Sequence, residues 1–221
     1  MNMNKIGLVF SHVFVRGEEK YKFDMIEYCA QKMREFDDFF MVLSGHGDKP
    51  PENLVDVFDD IYWEDAIKTD EIGRGHPHFC RKGFEICQQN GLSKTLKLRA
   101  FDYIKNKELF ELLKGSESLA TFSEQTSIEK EFLGDLFMFG ETSFLVDLWS
   151  TLKWDYSKSG LINLYYSMLH MNPDFKENTE FVSPQDIGWH TAEGVWDVTH
   201  KKTKGEVLWG QLPGFGYYGG F

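Results

Sequence analysis

Cysteine is scarce in this chain of 221 residues: Cys29, Cys80 and Cys87 are all it has. An odd count, at spacings that match no metal knuckle, excludes a disulfide scaffold and a zinc ribbon. Cys80 and Cys87 are seven apart and would share a face of a helix. The three are read as buried free thiols of a reducing compartment. Positive charge is in deficit as well, with 24 Lys and Arg against 35 Asp and Glu and a net charge of −11. That balance excludes a binder of the nucleic-acid backbone, though a local Arg/Lys cluster can still hold a small phosphorylated ligand. No apolar run approaches the roughly 20 residues of a spanning helix. The opening MNMNKIGLVF carries no signal-peptide core. These two absences predict a cytoplasmic protein with no transmembrane segment, peripheral to a membrane at most.

Several chemical signatures are missing too. There is no GxxxxGK[ST] loop, no GxGxxG after the first strand, no GxSxG elbow and no HExxH. A P-loop kinase, a standard dinucleotide binder, a serine hydrolase and a zincin all lose ground. His76-Pro-His78 is read as a pair of surface histidines rather than metal ligands. A nucleotidyltransferase would carry a Gly-rich basic loop after the first strand, and Val13-Phe-Val-Arg-Gly17 matches that poorly.

What is present is a core-forming composition, 42% hydrophobic and 16% aromatic, arranged in alternating patterns. Residues 5–10 form a buried strand, extended through 11–16. Residues 22–36 place Phe23, Ile26, Ala30, Met33 and Phe36 on one helical face. Strands are predicted over 37–43, 54–62, 95–98, 118–122 and 133–140, and helices over 79–90, 107–113, 142–152 and 160–170. Gly91 is placed as a helix C′ cap, and 44–51 and 73–77 read as loops. Strand–helix alternation predicts an α/β fold, a mostly parallel central sheet with helices on both faces. In such sheets ligands bind beyond the carboxyl ends of the strands.

The strand Thr95–Leu98 therefore draws interest for the residues directly after it, Arg99-Ala-Phe-Asp102. An Asp at a strand end can hold Mg²⁺ or Mn²⁺ against a diphosphate, and an Arg can pair with phosphate. The plainer reading is a local Arg99–Asp102 ion pair that caps the next turn. Likewise "LGDLFMFG", residues 133–140, is either a core strand with one Asp at its end or a strand that delivers Asp135 to a site.

The residues Lys97-Leu-Arg99, Asp102, Gly134-Asp135-Leu-Phe-Met-Phe-Gly140 and Leu148-Trp149 together resemble small glycosyltransferases of the GT-A fold, particularly the WavE-type lipopolysaccharide-synthesis family. The order of elements is similar from Lys5 to His170. The resemblance implies a single GT-A-like (Rossmann-like) domain over 1–171, and an extension over 172–221 acting as a lid or the acceptor side. It implies transfer of a sugar from a nucleotide-diphosphate donor to a glycan or lipid-linked acceptor, in surface polysaccharide synthesis.

It implies Asp135 as general base with Glu141 as runner-up, and Ser11, Arg16, Asp60, Arg81 and Arg99 along the nucleotide. Asp102 and His190 would hold Mn²⁺ or Mg²⁺. Trp189 and Trp196 would either stack on a sugar or pack as plain aromatics. The family usually carries Asp-x-Asp where this chain has Ala100-Phe-Asp102. That departure opens two alternatives: Arg or Lys in place of the metal, and a non-catalytic module that binds nucleotide-sugar without turning it over.

Overall fold

The computed structural model describes residues 5–15, 17, 21–65, 72–124, 132–150, 168, 170–183, 185–188, 190–191 and 207–208. Apolar residues at alternate positions build β1 (Ile6–Val15), β2 (Phe39–Gly47), β3 (Asp60–Glu64), β4 (Lys94–Arg99), β6 (Leu119–Glu124), β7 (Phe132–Glu141) and β8 (Thr179–Val182). They form one sheet in the order β3-β2-β1-β4-β7-β6-β8. The pairs β1–β2, β2–β3, β1–β4 and β6–β8 are parallel, and β7 runs against both of its neighbours. This is the mostly parallel α/β sheet the alternation predicts. The strand order reverses between β1 and β4, the point where such sheets open a crevice.

Helices cover both faces. Leu8 and Phe10, Met41 and Leu43, Leu96 and Leu98, and Phe137 and Phe139 point to one face, under α1 (Tyr21–Phe36) and α4 (Lys107–Gly115). Val9, Val42 and Met138 point to the other, under α3 (Ile72–Gln89) and α5 (Thr142–Ser150). Helix α3 lies so close on β1 that side chains are excluded at two points. A Cβ at Gly83 would stand 2.3 Å from Val9 Cγ1, and one at Gly7 would stand 2.6 Å from Cys87 Sγ. All three cysteines are buried and in no disulfide, and Cys80 and Cys87 share the inner face of α3. No helix among the described residues is long and apolar enough to cross a membrane.

Some boundaries differ from the sequence-based expectation. Strand β2 runs on through Ser44-Gly-His-Gly47, because Ser44 and His46 are buried and Ser44 Oγ donates to the Phe79 carbonyl at 2.6 Å. It stops at Gly47, whose φ of 109° admits no side chain, since a Cβ there would meet the Val15 carbonyl oxygen at 2.0 Å. The predicted strand over 54–62 is a short helix, α2 (Glu52–Val55), followed by a strand that begins only at Asp60. Asp59 causes the late entry, its carboxylate accepting from Arg34 and from the Met41 N–H, both at 2.7 Å. Residues 73–77 belong to α3 rather than a loop, and Pro77 in its second turn forgoes a single backbone bond near the helix start. Most of the predicted helix over 160–170 lies outside the described residues.

The chain after Asn172 adds β8 to the large sheet. It also builds a small sheet, β10 (Val207–Leu208), β9 (His190–Thr191) and β5 (Asp102–Tyr103).

Candidate functional site

The carboxyl end of β4 is held from both sides. On β1, Ser11 is level with Arg99. On β7, the antiparallel register pairs Leu98 with Phe137. The paired register ends there, and Asp135 lies two residues before Phe137 on β7, beyond the last paired residue of β4. The side chain of Asp135 lies outside the described residues. Beyond Arg99 the chain turns into β5, where Asp102 pairs with Thr191 and Tyr103 with His190. The turn before β9 fixes this small sheet. The N–H groups of Lys105 and Asn106 donate to the Ile187 carbonyl at 3.3 and 3.1 Å, and Asn106 Nδ2 donates to the Asp186 carbonyl at 2.6 Å. Gly188, at φ 65°, passes within van der Waals range of Asn106, where a Cβ would sit 3.2 Å from its backbone nitrogen.

Asp102 is 0% exposed, and Arg99 keeps 21% of its side chain in solvent. Arg99 Nε and Nη2 donate to the two Asp102 oxygens at 2.8 and 3.2 Å, a bidentate fork. His190 is buried and stacks on Tyr103 with centroids 5.2 Å apart, while Lys105 Nζ lies 5.6 Å from the same ring. Distant stretches of sequence thus bring Ser11, Arg99, Asp102 and His190 to one strand end.

The donor set around Asp102 does not make a hard-cation site. Its oxygens are held by a guanidinium, and no group of three His, Cys, Asp or Glu side chains able to hold a metal occurs among the described residues. A divalent ion there would have to displace Arg99 from a fully buried carboxylate.

Other residues singled out from the sequence stand elsewhere. Glu141 pairs across from Lys94, at the opposite end of β4. Five residues separate Lys94 from Arg99, so Glu141 is about 17 Å along the sheet from this site. Asp60 starts β3 rather than ending it and caps the Ile61 N–H at 2.7 Å. Arg81 sits mid-helix on α3, its Nε 3.3 Å from a Glu85 oxygen. Ser11, although level with Arg99, is buried and takes a hydrogen bond from Cys80 Sγ at 3.3 Å. Arg16, Trp189 and Trp196 lie outside the described residues.

A second polar group, missed in the sequence, occupies the carboxyl ends of β2 and β3. Glu64 accepts from the Tyr62 hydroxyl and lies 2.8 Å from His78 Nε2. Burial opposes ionisation of Glu64, but those two hydrogen bonds outweigh it and hold the carboxyl below its usual range. Burial, then the hydrogen bond to Glu64, pushes the Tyr62 hydroxyl up to about 12. His46 stacks flat on Phe79 at 4.9 Å, and burial lowers its pKa against the pull of Glu64. The signal available was Tyr62-x-Glu64 on one face of a strand, obscured by placing the start of that strand too early in the chain.

No protein-family model matches the chain, so the WavE-type assignment rests on the quoted motif residues alone. No curated protein sequence matches it either. Among solved structures, the chain is similar to a glycosyltransferase involved in the glycosylation of the major capsid of PBCV-1. That likeness has 12% identity and a TM-score of 0.45, over 81% of this chain and 82% of that one. It is also similar to the glycosyltransferase GlyE of Streptococcus pneumoniae TIGR4, with 14% identity and a TM-score of 0.47, over 82% of this chain and 46% of that one. The chain therefore spans about half the length of GlyE. Overlap this loose says nothing of substrate or mechanism.

Proposed function

We propose that the protein transfers a glycosyl unit from a nucleoside-diphosphate sugar to a glycan or lipid-linked acceptor. The observation that carries this reading is the Arg99–Asp102 fork at the carboxyl end of β4, beside the point where strand order reverses. A buried carboxylate aims a partly exposed guanidinium at the place where ligands of such sheets bind. In the reaction the bond from the anomeric carbon to the diphosphate oxygen breaks, and a bond to the acceptor oxygen forms. The electron pair leaves with the diphosphate, whose growing charge Arg99 meets as a bidentate donor. Asp135, on β7 beside β4 in the sheet, takes the acceptor proton. Asp102 acts here by holding Arg99 in place, and Glu141 is too far along the sheet to take part.

The same fork favours a second reading. With Asp102 committed to Arg99, the chain would bind nucleotide-sugar without catalysing transfer. Thermal shift against UDP, GDP, CDP and TDP, with Mn²⁺ and with EDTA, tests the binding that both readings require. One nucleotide should raise the melting temperature, and the rise should persist in EDTA. No response at millimolar nucleotide contradicts both. Release of nucleoside diphosphate from the matching nucleotide-sugar, lost in Asp135→Ala, separates the enzyme from the module.

A further inference from the structure

The described residues form a cleft of about 440 Å³ far from the Arg99 strand end. It lies at the amino ends of β6 and β8, where β7 finishes. Its walls include Glu117, Leu119, Glu141, Phe144, Asn172 and Asn178. The volume falls within the ordinary range of small-molecule sites.

The chemistry of the lining is one-sided. No Lys or Arg lines it among the described residues. The nearest cross-strand cation, Lys94, is committed to the carbonyl oxygens of Lys114 and Ser116 at 2.6 and 2.5 Å. A nucleotide or any other phosphorylated ligand would face Glu117 and Glu141 with no cation among the described lining residues to neutralise it. The polar groups are also available. Among the described residues, the carboxylates of Glu117 and Glu141 and the amide of Asn178 take part in no hydrogen bond or ion pair. Asn172 Oδ1 accepts from the Asp174 N–H at 3.1 Å, which holds the amide in one orientation. Beneath them, Leu119 and Met168 are buried and supply an apolar floor, and Phe144 is half-buried. Gly140 keeps that floor low, since a Cβ there would press on Leu119 Cδ1 at 3.3 Å.

We infer that this cleft binds a neutral saccharide unit. The carboxylates accept hydrogen bonds from sugar hydroxyls, the amides both donate and accept, and the Phe144 ring and apolar floor take the C–H face of the pyranose. This site is separate from the proposed donor site. It stands or falls independently of glycosyl transfer, because no phosphate and no Arg99 contact is involved.

The test is ligand-observed NMR and calorimetry on the full chain. The panel is neutral hexoses, N-acetylhexosamines and short neutral oligosaccharides, with glucose 1-phosphate, UDP and spermidine as controls. A neutral sugar should bind and should not be displaced by UDP. Phe144→Ala, Glu141→Gln and Asn178→Ala should each weaken it about tenfold. Asn178 is exposed, so its replacement leaves the core intact and any loss belongs to the site. The proposal is overturned if no neutral sugar binds at tens of millimolar, if the three variants bind as the parent does, or if spermidine or the sugar phosphate binds more tightly.

Discussion

Replacing Arg99 should cost more stability than replacing Asp102, although the two make the same ion pair. Asp102 is 0% exposed and Arg99 is 21% exposed. Arg99→Ala takes a bidentate donor from a carboxylate in the interior, whereas Asp102→Asn leaves a guanidinium that can turn toward water and still donate one hydrogen bond. Breaking a buried pair from one side costs about 3–5 kcal/mol. Arg99 is partly solvated, so the lower end, about 3 kcal/mol, applies here. Asp102→Asn should cost about 1 kcal/mol, the worth of one hydrogen bond. For a chain of this size that is roughly 6–12 °C of melting temperature for Arg99→Ala and about 2–4 °C for Asp102→Asn. Urea unfolding at neutral pH, with the slope checked for constancy, measures both. The double change Arg99→Met with Asp102→Leu should recover part of the Arg99→Ala loss, because no charge is then buried alone. An Asp102→Asn loss equal to or larger than the Arg99→Ala loss would refute the reasoning.

Packing and burial set three more expectations. Gly83→Ala drives a methyl to 2.3 Å from Val9 Cγ1 and should destabilise by about 1–3 kcal/mol. Adding Val9→Ala should return part of that in the same denaturation assay. Burial holds His46 below 6.5, so below that pH the unfolded chain takes up a proton the folded chain resists. Stability should therefore fall as pH drops through about 6.5, and His46→Phe should flatten the melting-temperature profile between neutral pH and about 5.5. Burial pushes the Cys87 thiol up to about 12, and Cys29, Cys80 and Cys87 are all 0% exposed. Ellman's reagent should label none of the three before urea unfolds the chain, and rapid labelling of the native protein would contradict their burial.

The architecture was legible because hydrophobic period dominates it. The one-faced spacing of Phe23, Ile26, Ala30 and Met33 predicts α1, and the run at 95–98 predicts β4. Glycine and proline misled where tertiary contacts override local preference. Ser44-Gly-His-Gly47 is strand because Ser44 and His46 have partners inside, and Gly73 to Pro77 is helix because α3 packs on β1. The site was half legible. That a strand would deliver Arg99 and Asp102 to a carboxyl end comes from pattern alone. That Arg99 takes both Asp102 oxygens, that His190 arrives by a small sheet from far along the chain, and that Glu141 faces the other end all depend on register. The Tyr62–Glu64–His78 group needs a strand and a helix to meet, and no spacing in the sequence announces that meeting.

The central claim is that a nucleoside diphosphate lies on the exposed side of Arg99. Calorimetric affinity of the best-binding nucleoside diphosphate for the parent chain and for Arg99→Lys tests it most directly. Lysine keeps the charge and loses the two-pronged donor, so binding should weaken by about tenfold or more while the fold survives. Equal affinity in the two proteins, or no nucleotide binding to the parent at millimolar concentration, would contradict it.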